Sequence, residues 1–302
     1  MQTISTFHNG IIKELYLYDY SINQSILKQI IDLGDKAIPD LELVLMDIIK
    51  HDLYYSNQED CNYYTHDHAL YLLGELGAEQ SLPKILNLFS QDEDFLDFWF
   101  GDSLNEEMWK IIYKCGQNSL DLIEFFLKDQ KVPLYAPTAV SSGLLQIGLH
   151  NPDKQVEIFV VYKRVIEATI PFVRYKENSR GDWTEVWAKK DDAKDAIAFY
   201  VCDLLDFEEP TFKNYLHSLF DQGVVEETIV DRQSIDEESP IEHMREIKSI
   251  FDRYDEMERI YKHIEEQEAQ LVFPIKRVKL GRNEKCWCRS GKKCKKCHLY
   301  KE

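Results

Sequence analysis

A short phrase recurs along this chain, in which a glycine separates two runs of apolar residues at helical spacing. The glycines stand 43, 39 and 32 residues apart, at Gly34, Gly77, Gly116 and Gly148. Glycine ends a helix at little cost because it tolerates the left-handed conformation, and the prolines that follow the first two copies suit the first turn of a new helix. A helix–turn–helix phrase repeated about every forty residues predicts stacked helical hairpins and an all-α fold.

This pattern resembles the HEAT family of helical repeats over about residues 20–230. The resemblance implies a HEAT-like helical-repeat solenoid over residues 1–230, with one extended concave surface. An irregular helical bundle that contains several helical hairpins would give a similar pattern. The repeat interpretation is favoured, and the fold is expected to continue into a long C-terminal helix and a small zinc-stabilised tail.

The sequence separates its charge between a long acidic part and a short basic end. The formal charge of the 302 residues is −18. From Lys276 onward there are eleven lysines and arginines against two acids, a local charge of +9, which leaves −27 on the first 275 residues. Because so acidic a surface would repel phosphates, only the tail is expected to contact a polyanion.

The sequence lacks the features of an export signal or a membrane span. Its first residues have no basic stretch followed by a continuous apolar one, and no window approaches eighteen consecutive apolar residues. Cys61, Cys115 and Cys202 lie singly among apolar neighbours and are interpreted as reduced core residues. These features predict a cytoplasmic location.

Two aromatic-rich stretches interrupt the repeat. Residues 91–109 mix acids with aromatics, and residues 174–190 are polar and predicted to form an inserted loop. Exposed aromatics could anchor a partner protein, but packing against the repeats is favoured. The aromatics concerned are Phe95, Phe98, Trp99, Phe100, Trp183 and Trp187.

Three segments follow the repeats. Residues 231–240 are acidic and are interpreted as a linker. Residues 241–273 predict one long amphipathic helix, because its apolar residues recur at steps of three and four in a heptad pattern. That helix could dock along the end of the solenoid, which is favoured, or pair with a copy of itself. Residues 274–302 form a basic tether and the cysteine-rich tail.

The tail, GRNEKCWCRSGKKCKKCH, contains four of the seven cysteines of the chain. Thiolates and an imidazole crowded into a small peptide suit Zn²⁺, which takes four such ligands tetrahedrally. Cys286, Cys288, Cys297 and His298 are interpreted as the ligands of one structural zinc ion, because four protein ligands leave no open position for catalysis. Cys294 could replace His298 in an all-thiolate site, or serve as a small apolar filler.

This tail resembles the SEC-C motif, the zinc module at the end of the translocase motor SecA and of many otherwise unrelated bacterial proteins. That motif reads GRNDPCPCGSGKKYKKC followed by Cys or His, and the match covers about eighteen residues. The tail departs from the motif at Glu284, Lys285, Trp287, Arg289 and Cys294. The resemblance implies docking to an acidic protein surface, to the ribosome or to a SecB-like chaperone.

A zinc-folded tail would present a rigid basic surface. Its predicted docking residues are Arg282, Trp287, Arg289, Lys292, Lys293, Lys295 and Lys296. Two alternatives remain for this surface. It could bind RNA, with an affinity that falls steeply with salt, or it could be a structural plug that folds onto the acidic part of its own chain.

The sequence contains none of the common catalytic motifs. A Gly-rich phosphate loop, a nucleophile elbow and an H-E-x-x-H helix are all missing from it. His66 and His68 could be imagined as a metal pair, but we expect them in the first turn of a helix, one capping it and the other solvated. The sequence therefore favours an interaction protein whose solenoid binds one protein while its tail addresses another. An enzyme on the concave face is the remaining alternative.

Overall fold

A computed structural model of the protein describes residues 6–57, 64–178, 193–207, 209–237 and 244–271, together with residues 292, 293 and 296. These residues contain fourteen α-helices and no β-strand, so the all-α prediction is confirmed. The helices are α1 (Gln24–Asp32), α2 (Ile38–Lys50), α3 (Asp52–Ser56), α4 (Thr65–Glu75), α5 (Leu82–Phe89), α6 (Glu93–Trp99), α7 (Ser103–Glu107), α8 (Trp109–Gly116), α9 (Leu120–Leu127), α10 (Tyr135–His150), α11 (Gln155–Asn178), α12 (Ala193–Leu205), α13 (Pro210–Asp221) and α14 (Ile250–Leu271). The chain divides into two compact units, Met1–Asp255 and Glu256–Glu302, and α14 begins in the first.

The core of the first unit is a series of helices, each packed on the next. Helix α2 packs on α4, α4 on α8, α8 on α10, and α10 on α12. Because α4 and α10 have neighbours on two sides, nearly every residue of α4 is buried, and so are eleven of the sixteen residues of α10. This serial packing of helical hairpins is that of a helical-repeat fold.

The repeated glycines have two different structural roles. Gly34 and Gly77 have φ angles of 56° and 58° and end their helices in the left-handed conformation, as predicted. Gly116 and Gly148 do not, because they lie within helices α8 and α10. A Cβ atom on Gly148 would lie 2.5 Å from the ring of Phe207, and one on Gly116 would lie 2.8 Å from Ile123. These two glycines allow close packing between helices.

The segment between the repeats and α14 differs from its prediction. Residues 231–237, expected in a linker, include a short 3₁₀ helix (Arg232–Ile235) whose Ile235 is 1% exposed. The long helix begins at Ile250, later than the predicted residue 241. Residues 244–249 are not helical, and side chains of α10 bind the backbone of one of them: Gln146 accepts from the Arg245 amide, and His150 Nε2 lies 3.0 Å from the Arg245 carbonyl oxygen.

The aromatics of residues 91–109 pack into the core, as favoured, with one exception. Phe95, Trp99 and Phe100 are at most 7% exposed, whereas Phe98 is 44% exposed. Trp183 and Trp187 lie outside the described residues, and α11 extends to Asn178, beyond the predicted start of the inserted loop at residue 174. Cys115 is buried and Cys202 is partly buried, and burial raises the pKa of their thiols to about 12 and about 11. Both are therefore unreactive thiols, consistent with a packing role.

Candidate interaction surface

The predicted zinc ligands Cys286, Cys288, Cys297 and His298 all lie outside the described residues, and so does Cys294. Among the predicted docking residues, Arg282, Trp287, Arg289 and Lys295 lie outside them too. Lys292, Lys293 and Lys296 are described and exposed, and the Lys296 amide donates to the Lys293 carbonyl oxygen over 2.8 Å. The zinc site and the docking surface of the tail therefore remain predictions.

The His66 and His68 side chains lie in the first turn of α4, where they were expected, but neither is solvated and neither caps the helix. They are 1% and 0% exposed, and the helix has no side-chain cap. The two imidazoles are not solvated because neighbouring elements enclose α4 from its first residue onward. Burial lowers the pKa of both imidazoles, that of His68 to about 4. Both rings are therefore neutral at pH 7.

His68 joins α4 to two distant parts of the chain. Its Nε2 lies 3.0 Å from the carbonyl oxygen of Tyr18, which fixes Nε2 as the protonated nitrogen. Its Nδ1 accepts a short hydrogen bond from the hydroxyl of Tyr254 in α14, and the two rings stack with centroids 5.6 Å apart. The imidazole thereby connects the start of α14 to the N-terminal residues of the chain.

Asp67 and Arg253 complete this buried polar cluster. Tyr20 donates from its hydroxyl to Asp67 Oδ2 over 2.6 Å, and its ring packs edge-on against that of Tyr254 at 5.7 Å. The guanidinium of Arg253 lies 5.9 Å from the centroid of the Tyr20 ring, and its Nε is 3.6 Å from Glu107 Oε2. A buried carboxylate is costly without a hydrogen-bond donor such as Tyr20. Arg253 and Tyr254 pack on Tyr20, so residues 250–255 help to hold that donor in place.

The buried polar cluster is closed to solvent. His66, Asp67 and His68 are each at most 3% exposed. Within the described residues, no three His, Cys, Asp or Glu side chains converge as a metal site. The geometry of the buried polar cluster supports a structural role, in which it connects α4 to α14. No substrate could reach the titratable groups of the cluster without a local opening.

An open groove lies along helix α6. Asp92 caps this helix by accepting from the Phe95 amide over 2.9 Å, and α6 buries Phe95, Leu96 and Trp99. Residues of α6, of α7 and of the turn before α10 line a cavity of about 670 Å³. The floor is partly apolar, and the rim carries the carboxylates of Glu93, Asp94, Asp97, Asp102 and Glu106.

A second cavity, of about 270 Å³, adjoins the first. The two share Glu93, Pro133 and Tyr135 in their walls, so together they form one groove, which we name the acidic groove. The second cavity adds the carboxylates Asp129 and Asp195 and the phenol of Tyr200. Tyr200 is only 2% exposed, and its hydroxyl forms no hydrogen bond with another described residue. Because Tyr200 lines the cavity, its hydroxyl can donate to a ligand there.

The five rim carboxylates have no cationic partner among the described residues. In that part of the chain, none of them forms an ion pair, although other surface acids such as Glu42, Glu75 and Glu124 each bind a lysine. Like charges that line a concavity reinforce one another and attract cations. No local pattern in the sequence indicates that the acids of α6 and α7 would meet residues 129–135 across a groove.

Comparison with known proteins gives the family. Residues 8–177, more than half of the chain, match the family described as "Protein of unknown function (DUF1186)". The chain belongs to the DUF1186 family. The match includes both the buried polar cluster up to Glu107 and the rim of the acidic groove, whereas the tail lies outside it.

Two curated relatives align with part of the chain. A protein of Chlamydia trachomatis serovar D, named only "Uncharacterized protein", is 28% identical over 100 residues, which are 33% of this chain and 39% of the relative. One of Chlamydia muridarum with the same name is 30% identical over 89 residues, 30% of this chain and 35% of the relative. The alignments thus span little more than a third of either relative. No solved structure matches the chain.

The described helices include none that combines the length and the apolar character needed to cross a bilayer.

Proposed function

We propose that this protein is a cytoplasmic adaptor whose helical-repeat unit binds one protein, while a zinc-folded basic tail docks to a second target. The observation that carries the proposal is the tail itself, where Cys286, Cys288, Cys297 and His298 occur among eleven basic residues. A small peptide with four such ligands folds around zinc without a core of its own. Its targets are then acidic protein surfaces or the ribosome.

The first unit supports an interaction role better than a catalytic one. Its His and Asp side chains that resemble catalytic groups are enclosed in the buried polar cluster, at most 3% exposed. Its acidic groove is open to solvent and offers carboxylates and apolar surface. Such a surface favours recognition of a partner over chemistry on a small molecule.

The metal prediction can be tested on the purified full-length chain. We expect about one zinc ion per chain by elemental analysis after dialysis. Cys286→Ser should abolish stoichiometric zinc, and Cys294→Ser should retain it. A wild-type chain free of zinc would contradict the proposal. Loss of zinc in Cys294→Ser, with retention in His298→Ala, would replace the proposed ligand set by the all-thiolate one.

The docking prediction can be tested by sedimentation with purified ribosomes. The wild-type chain should pellet with ribosomes at low salt, and Lys292→Glu, Lys293→Glu, Lys296→Glu in one variant should reduce the bound fraction about tenfold. Lys13→Glu, Lys28→Glu, Lys131→Glu is the matched control, since it changes three lysines of the first unit. Equal loss in both variants would contradict docking through the tail. Equal binding to protein-free ribosomal RNA would favour the RNA alternative.

A further inference from the structure

The acidic groove has the charge and shape to hold a basic polypeptide segment. Its five rim carboxylates line the larger cavity, and all five residues are exposed to solvent. Since these carboxylates have no cationic partner among the described residues, the groove presents a negative surface to a ligand. A ligand that supplies several positive charges would complement that surface.

The floor of the groove adds apolar and hydrogen-bonding recognition. Leu96 and Leu104 are buried beneath the rim, and Tyr135, which is 57% exposed, stands where the two cavities meet. A lysine or arginine side chain can pack its aliphatic part or its cationic end on such a ring. At the narrow end, the Tyr200 hydroxyl can donate to a carbonyl oxygen of the bound chain.

We propose that the acidic groove binds an extended, lysine- or arginine-rich segment of a partner protein. Three features of the described residues agree on this class of ligand: carboxylates without an ion pair around the larger cavity, the exposed ring of Tyr135 in the wall that the two cavities share, and the hydroxyl of the buried residue Tyr200 in the smaller cavity. A nucleic acid is disfavoured because its phosphates would meet the same carboxylates. The inference rests on the proposed adaptor role and names the partner class of the helical-repeat unit.

The test uses the full-length protein and a fluorescein-labelled peptide, KLKAKLKAKLKA, in a fluorescence anisotropy titration. Asp94→Asn, Asp97→Asn, Glu106→Gln in one variant should weaken binding about tenfold. The matched control, Asp121→Asn, Asp153→Asn, Glu157→Gln, removes three exposed carboxylates outside the groove and should change the Kd less than about twofold. Circular dichroism and thermal unfolding check that both variants are folded.

Two further variants make the test specific. Tyr200→Phe keeps the ring and removes the hydroxyl, and it should weaken binding about two- to fivefold if the phenol contacts the peptide. A full-length variant with Lys276→Gln, Arg277→Gln and Lys279→Gln reports on the chain's own tail. Peptide binding that appears only in this variant would mean that the tail occupies the groove, which overturns the proposal of a partner segment.

Other outcomes also decide against the proposal. Equal weakening by the groove variant and its control would show attraction to net charge alone. Equal binding of the acidic peptide ELEAELEAELEA would show that binding does not depend on positive charge in the ligand. If neither the wild type nor the tail variant binds the basic peptide, the proposal is also overturned. The zinc content and ribosome sedimentation of the groove variant separate this result from the proposed function: if both stay normal, only the groove assignment fails.

Discussion

The loss of unfolding free energy caused by His68→Asn should be about 3 kcal/mol smaller at pH 4 than at pH 7. Burial lowers the pKa of this imidazole to about 4, against an ordinary value near 6.5. Above pH 6.5 the ring is neutral in the folded and the unfolded chain, and its contribution to stability is complete. As the pH falls towards 4, the unfolded chain takes up a proton that the folded chain refuses, so that contribution is lost.

The difference between wild type and variant must be measured, because other groups act in the opposite direction. Burial raises the pKa of Asp203 to about 6 and that of Asp206 to about 7. A carboxyl group with a raised pKa binds a proton more readily in the folded chain, so these residues add stability as the pH falls. They are present in both proteins and cancel in the comparison.

Urea unfolding of wild type and His68→Asn at several pH values between 4 and 7 measures this effect. The gap between the two free energies of unfolding should narrow steadily below pH 6.5. Asp203→Asn should behave in the opposite way: the loss of unfolding free energy that it causes should grow as the pH falls below 6. A constant gap for His68→Asn would mean that the folded chain binds the proton as readily as the unfolded one, and that the buried hydrogen bond to Tyr254 does not require a neutral ring.

Gly143→Ala should destabilise the first unit by about 2 kcal/mol. Gly143 lies in α10 where it crosses α8, and an added Cβ would stand 2.5 Å from the Ile112 side chain and 2.9 Å from the Trp109 carbonyl oxygen. The carbonyl is part of a helix and cannot move alone, and Ile112 is fully buried. Alanine favours helix over glycine by about 1 kcal/mol, which only partly offsets the clash.

Gly10→Ala is the control for this substitution. Gly10 is itself exposed at the start of the 3₁₀ helix Gly10–Tyr16, and a Cβ added there would have no neighbouring atom within 4 Å. Its change in free energy should stay within about 0.5 kcal/mol. Thermal or urea unfolding measures both. A neutral or stabilising Gly143→Ala would mean that α8 and α10 are packed less closely than the structure indicates.

The sequence predicted those features that depend on neighbours close in the chain. The helix ends at Gly34 and Gly77 follow from the local conformation that glycine allows, and Pro39 and Pro83 fall in first turns for equally local reasons. Gly116 and Gly148 look the same in the sequence. Their role depends on Ile123 and Phe207, and the second of these is 59 positions further along the chain than Gly148.

The burial of His66 and His68 could not be predicted either, because it also depends on residues that are distant in the chain. A Thr-His-Asp-His stretch at the start of a helix is usually solvated. It is enclosed here because Trp99 and Phe100 pack on His66, while Tyr20 and Tyr254, from opposite ends of the first unit, pack on His68. The acidic groove likewise needs residues from α6 and from the turn before α10, whose adjacency no local pattern reveals. For the tail the opposite holds, since the zinc prediction depends on spacing alone.

The hydrogen bonds between residues 250–255 and the first helices set the order in which parts of this chain can complete their folding during synthesis. Tyr254 contacts His68, the Ile250 amide donates to Glu75, and Gln24 donates to Asp255. The N-terminal helices therefore emerge long before the residues that complete their core. A fragment cut at the family match, residues 8–177, would leave His68 without Tyr254 and Glu75 without the Ile250 amide, although Asp67 would keep Tyr20. Fragments for expression should accordingly extend at least to Asp255.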